Sequence, residues 1–416
     1  MKIIKLKGRE IYDSRTIPTI ECQIFLEDGS SFCSSVPEGL TRSSHEAHEM
    51  RDGGKRLEGN GVRKAIKVIE EIIAPSLIGL EPNVIEMDQL MIGLDGTDNK
   101  EKLGANTMLA TSIAILRAQA SMFQQEPYEL IANLCGAETV TLPFPLINMI
   151  SGGAHADNNL MFQEFLILPV GTQTFAQAME HAILFHQRLK KLLIKEGCAL
   201  VKSDEGAFAP ELKDDYQALD LLVKAIDSFK GDCIFKIAID CAASQFFNRK
   251  NHTYKMSDQS ATTNDMIEWY AQLVEDYPIY SLEDPLDQDD WAGWAKLMEV
   301  MGDQVQIVGD DLFATDPARI WHGIEHGAAS AAIIKPNQIG TVTESLQSIQ
   351  LCQEYGMNVM VSHRSGETCD SFIADLAVGT SSGQIKAGCC INGERLAKYN
   401  RLLSIEDQLA LSMLDV

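Results

Sequence analysis

The chain has 416 residues, 45% apolar and 23% charged, which suits a folded protein too long for one compact core. Thirty-five basic residues stand against 59 acidic ones, a formal charge of −24, which argues against a nucleic-acid backbone or an anionic membrane as partner. A small anionic substrate is admissible, provided that local cations, protein or metal, overcome the general field.

Residues 2–35 alternate apolar and polar side chains around an Asp28-Gly29 turn signal and predict a small sheet. The N-terminus has no apolar core of signal-peptide length and no stretch approaches a membrane span, so a cytoplasmic location is expected. The run VPEGLTRSSHEAHEMRDGG is aperiodic and rich in turn formers, and predicts a mobile loop that acts as a lid. From Val62 to Cys135 apolar residues recur at helical spacing. Residues 1–135 therefore predict an α+β unit of three strands with helices packed on them, and the stretch from Gly136 to Pro145, with two prolines, is the candidate linker. Residues 136–416 carry eight strand-like runs, FLILPVG, ALVKSDEG, KIAID, PIYSLED, QIVGDD, AAIIK, VMVSH and QIKAG, with helical segments between several of them. The ten cysteines sit mostly in apolar settings and read as reduced thiols; Cys389 and Cys390 are adjacent and close to Lys386.

Six of those apolar runs end on a polar or ionisable residue: Asp240, Glu283, Asp310, Lys335, His363 and Lys386, at steps of 43, 27, 25, 28 and 23 residues. After the first, each step is the length of one βα unit, so the pattern predicts a parallel α/β barrel delivering one functional group per strand at its C-terminal rim. Three carboxylates on consecutive strand ends repel unless a cation neutralises them, and an oxygen cage of this kind suits Mg²⁺. Lys335 closes a buried strand, and burial next to a metal and other cations predicts an ammonium held partly neutral, hence a base. His363, Arg364 and Ser365 together suit a phosphate. Upstream, His155, Gln163 and Glu164 lie in one segment and Asp204 and Glu205 in another; Glu164 and Glu205 form a candidate acid pair, with pKa values raised and coupled by proximity.

DSR at Asp13, RDGG at Arg51, LGANTMLA, GGAHADNN, QEF, SDEG, DCAAS, SLEDP, GDDLFAT, IIKPNQIGT, SHRSGET and GQIKAG resemble the enolase family in order, over nearly the whole chain. The resemblance implies an N-terminal α+β cap followed by a modified TIM-type barrel, and Mg²⁺-dependent dehydration of 2-phosphoglycerate to phosphoenolpyruvate. Asp240, Glu283 and Asp310 would hold Mg²⁺, with a second ion arriving with substrate. Lys335 would be the base, Glu205 the acid, and Glu164 its partner on the same water network. Lys386 would face the substrate carboxylate, and His155, Arg364 and Ser365 the phosphate, with His363 in the same wall and Gln163 supporting Glu164. A homodimer or a multiple of one is implied.

The lid departs from the family pattern. Thr16 and Ser43 stand where glycines are common, which restricts positive φ, and Glu38 and Arg42 add charges to a loop expected to close over substrate. Thr41 aligns with the family's loop serine that helps coordinate the second metal. These changes leave two alternatives open: an enolase-like enzyme acting on another phosphate- or phosphonate-bearing substrate, and a paralogue with little activity and a binding role.

Overall fold

The alternation of the first 35 residues becomes a three-stranded antiparallel sheet of β1 (Ile3–Tyr12), β2 (Pro18–Leu26) and β3 (Ser31–Ser35) in sequential order. The computed structural model describes residues 1–229, 233–256 and 259–409; the last seven residues of the expected C-terminal unit lie outside that description. One face of β2, formed by Ile20, Cys22, Ile24 and Leu26, is fully buried and packs against the helix Ala105–Met122. That helix is buried at 15 of its 18 positions, so it reads as apolar nearly all round. Its polar members are satisfied locally: Thr107 and Thr111 bond back to carbonyls four residues earlier, and Ser112 donates to Asp88 at 2.9 Å.

Asp88 links the cap to the barrel. One of its oxygens accepts from Ser112 and from both the amide and hydroxyl of Thr343, at 3.0 and 2.7 Å. Burial pushes its carboxyl up to about 7 despite those bonds. A carboxyl raised in the folded state stabilises the fold fully below its ordinary value, and that advantage is lost as pH rises from there through about 7. The parent should therefore lose stability between about pH 5 and 7, by about 1.4 kcal/mol for each pH unit over which only the folded state keeps this proton. Asp88→Asn should remove that slope, as read from urea melts at both pH values.

The turn after β1 departs from expectation. Thr16 lacks glycine's freedom, yet its φ is +63°, because Asp13 Oδ1 accepts the amides of Arg15 and Ile17 at 2.8 Å and tightens the loop. An exposed β-branched residue in this region costs about 1–2 kcal/mol. Thr16→Gly should raise the free energy of unfolding by about 1 kcal/mol, since glycine's greater chain entropy offsets part of the gain.

Eight strands close into a barrel. In chain order they are β4 (Phe144–Ser151), β5 (Glu164–Val170), β6 (Ile234–Asp240) and, after a small sheet of β7 (Phe247–Asn248), β8 (Thr253–Met256) and β9 (Gln259–Ala261), β10 (Ile279–Glu283), β11 (Gln306–Gly309), β12 (Ala331–Ile334), β13 (Asn358–Ser362) and β14 (Gly383–Lys386), which pairs back with β4. Leu146, Leu166, Leu168, Ala238, Val308, Ala331, Ile333 and Met360 fill the barrel interior.

The eight strands are not the eight expected. ALVKSDEG forms no strand: it makes only a single bridge, Lys202 to Phe208, around a turn in which Gly206 has φ +88°. The missing strand is β4, which begins inside the stretch expected to be a linker. Nor is the barrel wholly parallel, since β5 runs antiparallel to both β4 and β6. Only residues 152–163 join β4 to β5, and they hold a short 3₁₀ turn instead of a crossover helix. This reversal places the first residue of β5, Glu164, directly opposite the last residue of β6, Asp240.

Candidate active site

Asp240, Glu283 and Asp310 lie at the same rim, each less than one-tenth exposed. Asp240 and Glu283 are register partners, and the Lys386 ammonium donates to both, at 3.0 Å to Asp240 and 2.8 and 2.9 Å to the two oxygens of Glu283. It also stands 2.8 Å from Glu164. Lys335 forms an ion pair with Asp310, whose other oxygen accepts from Gln338 at 3.2 Å. Gln163 donates to Asp240 at 3.1 Å. Burial pushes Glu283 well above the usual carboxylate range, with the nearby Asp240 adding to the shift.

Lys335 does not behave as the sequence suggested. Burial works against the ammonium of Lys335, but Asp310 outweighs it and leaves Lys335 above its ordinary value. Lys386 is opposed by burial too, and Asp240, Glu164 and Glu283 carry it well above. The expected partial neutrality of Lys335 is thus not a property of the protein groups alone.

Two tight groups of potential metal ligands occur among the described residues, His155–Glu164–Glu205 and Asp284–Asp310–Asp311, each with one ligand atom per residue within 4.8 Å of the others. In the second, Asp284 is committed to the fold, accepting the amides of Asp310 and Asp311 at 2.9 and 2.8 Å. Asp240 and Glu283 are not in either group, because Lys386 sits between them. The donor set still fits a hard divalent cation: three buried carboxylates converge on positions already taken by ammonium groups, so the site requires positive charge and offers only oxygen.

Across the cavity, His155 Nδ1 lies 3.2 Å from Glu164 and 3.6 Å from Glu205, and Asn148 donates to Glu205 at 3.1 Å. The acid pair was expected to show raised values. Burial does act upward on Glu205, but His155, Arg395 and a bond with Glu164 prevail and bring it down to about 2. The same carboxylates raise His155 against the effect of burial.

Arg364 is only 4% exposed and is already engaged: it donates to both oxygens of Glu46 at 3.0 and 3.1 Å and to the Thr41 carbonyl at 2.9 Å. Ser365 Oγ accepts the Leu40 amide at 2.6 Å. His155, Gln163, Glu164, Glu205, Asp240, Lys335, His363, Arg364, Ser365 and Lys386 line one small cavity together with Gly39 and Thr41 of the lid. Thus the structure brings the expected residues together, with Glu283 and Asp310 attached through Lys386 and Lys335.

The lid loop is docked on this cavity. Glu38 and Gly366 exchange backbone hydrogen bonds at 2.8 Å, and a Cβ on Gly39 would collide with the Arg364 guanidinium, so a side chain there would have to displace that buried cation. The unusual charges neutralise each other outside the cavity: Glu38 pairs with Arg42 and Arg51, and Arg42 with Glu49 at 2.6 Å. Ser43 needs no positive φ; its hydroxyl bonds Gln288 at 2.8 Å and the Asp311 carbonyl at 3.0 Å.

Comparison with known proteins gives the same picture. The family model described as "Enolase, C-terminal TIM barrel domain" matches residues 139–414, and that described as "Enolase, N-terminal domain" matches residues 3–131. The chain belongs to the enolase family. It is 45% identical over 414 residues to the enolase of Methanopyrus kandleri, covering 98% of this chain and 96% of that one. It is 44% identical over 411 residues to the enolase of Corynebacterium kroppenstedtii, with the same coverage. Sequence reasoning within this enolase fold missed Arg395, Asn148 and Glu46, each of which touches a residue it had named. Arg395 alone left a readable signal, as a charged residue sharing a helical face with Tyr399 and Leu402.

Proposed function

We propose that this enolase-family chain catalyses the reversible, Mg²⁺-dependent dehydration of 2-phosphoglycerate to phosphoenolpyruvate. The observation that carries the reading is the cavity itself, where the half-buried Lys335 and the buried Glu205 line one shared space with Asp240, Lys386 and Arg364. Residues 1–135 serve as the capping domain and residues 136–416 as the catalytic barrel.

Asp240, Glu283 and Asp310 would hold Mg²⁺. The ion supplies charge neutralisation of the three carboxylates and a positive field for the electron density that develops on the substrate carboxylate. Thr41 would be the lid group that serves a second ion. With the carboxylates so engaged, Lys386 is freed to donate to the substrate carboxylate. Lys335 then keeps Arg364 and Lys386 as neighbours, both of which push its proton off, and the neutral amine takes the proton α to the carboxylate. Arg364, Ser365 and His155 bind the phosphate, for which Glu46 provides the anionic stand-in on Arg364. Glu205, positioned by Asn148 and His155, protonates the departing hydroxyl, with Glu164 and Gln163 completing the polar wall. Substrate anions that occupy His155 and Lys386 offset two of the three cations holding Glu205 low, Arg395 remaining, and so raise it toward a working acid.

The lid charges that suggested a different phosphate- or phosphonate-bearing substrate pair with one another instead of facing the cavity, so the ordinary substrate fits best. Among the described residues no helix is long and apolar enough to cross a membrane. We take the protein as cytoplasmic and as a homodimer, as the family suggests. The test is ultraviolet absorbance after mixing with 2-phosphoglycerate across a Mg²⁺ titration. Mg²⁺-dependent growth of enol absorbance supports the reading, and a flat trace from folded, Mg²⁺-supplied protein rejects it.

A further inference from the structure

The helix Gly393–Leu409 turns two cations inward, Arg395 and Lys398, at 0% and 1% exposure. They are three residues apart and so share a face. Arg395 reaches beneath the segment His363–Ser365: Nη1 bonds His363 Nδ1 at 2.7 Å and the Arg364 carbonyl at 2.6 Å, and Nη2 bonds the Ser365 carbonyl at 2.5 Å. Nη2 also reaches the carbonyl of Asp204 at 3.4 Å, tying in the loop that carries Glu205. Lys398 holds the next stretch through Glu367 and the Thr368 carbonyl, at 2.5 and 2.6 Å.

We infer that Arg395 is a positioning residue that fixes His363 as the neutral tautomer with its proton on Nε2, aimed across the cavity at Glu205. The assignment follows from donor chemistry. A guanidinium has only N–H groups and accepts nothing, so a 2.7 Å contact to Nδ1 requires a lone pair there. The doubly protonated ring has no such lone pair, and the other neutral tautomer would set two N–H groups against each other. The remaining proton sits on Nε2, which lies 3.6 Å from Glu205 Oε2. His363 therefore works as a fixed hydrogen-bond donor to the acid or to substrate, and not as a proton shuttle. Gly388 lets the backbone pass close beside this pair: a Cβ there would lie 3.0 Å from His363 Cε1 and 2.9 Å from Arg395 Cδ. The direction of the His363 shift agrees, since burial and then Arg395 hold the imidazole well below its ordinary value.

The role of Arg395 in turnover rests on the proposed function, but the tautomer does not. The deciding spectrum is a long-range ¹⁵N–¹H correlation of the full-length protein at pH 7, with the His363 signals assigned by their loss in His363→Gln. The expected pattern is a single neutral ring protonated on Nε2. A ring protonated on Nδ1, or on both nitrogens, overturns the inference without recourse to any variant. In Arg395→Lys, which keeps the charge but cannot bond Nδ1 and two carbonyls at once, the His363 signals should show mixed tautomers. The kcat for 2-phosphoglycerate should fall by about 10- to 100-fold, as for other groups that orient a working imidazole. An Arg395→Lys protein with unchanged tautomer and unchanged kcat would also overturn it. If the parent itself fails to turn over 2-phosphoglycerate, the functional reading falls, and the imidazole spectrum still decides what Arg395 does.

Discussion

Lys335→Ala should lower the turnover of 2-phosphoglycerate by about 10⁴-fold, the upper end of what a positioned base contributes. The lysine is largely withdrawn from solvent, its side chain 13% exposed, so bulk buffer replaces it poorly, and its neighbours Arg364 and Lys386 are a guanidinium and an ammonium that serve poorly as bases while charged. The substitution leaves Asp310 without its ion pair, which costs stability in the metal-free protein, so the comparison is made with Mg²⁺ present and folded fraction checked by circular dichroism. Loss of turnover with the fold intact is the expected result. A variant retaining a tenth or more of the parent rate would remove Lys335 from the mechanism.

The second large effect is structural. Lys386 is 3% exposed and lies among Asp240, Glu283 and Glu164, so Lys386→Met strips three buried carboxylates of one shared counter-ion. Leaving buried charge uncompensated costs about 3–5 kcal/mol. Because the folded ammonium lies above its ordinary value, its stabilisation is complete below that value and is lost only as pH climbs through the folded one, so melts at neutral pH register all of it. In chelator the variant should unfold at markedly lower denaturant than the parent. Adding Mg²⁺ should recover more stability in the variant than it adds to the parent, because the ion binds only the folded carboxylate set. Equal stability in chelator would mean that Lys386 does not neutralise that set.

The sequence reveals most of this site because a barrel sends functional groups to one rim: Asp240, Glu283, Lys335 and Lys386 each close a short apolar strand, and spacing alone groups them. Glu164 followed a different rule. It opens a strand instead of closing one, and reaches the rim only because β5 is reversed. The strand β4 was hidden by Pro145 and by burial of all eight residues, which erases the alternation a half-exposed strand would show. ALVKSDEG offered three apolar residues and a plausible carboxylate end, yet its backbone turns at Gly206. The lowered Glu205 could not be read either: a neighbouring carboxylate is visible in the sequence, but His155 and Arg395 arrive from segments 50 residues before and 190 after.

Hydrogen exchange at C2 of 2-phosphoglycerate, followed in deuterated water alongside product formation, separates the two roles on which the mechanism stands. The parent should both exchange and eliminate. Glu205→Gln should exchange the C2 hydrogen while forming almost no phosphoenolpyruvate, because proton removal survives and hydroxyl departure does not. Lys335→Ala should do neither. Exchange at the parent rate in Lys335→Ala, or its disappearance in Glu205→Gln, would contradict the assignment of base and acid.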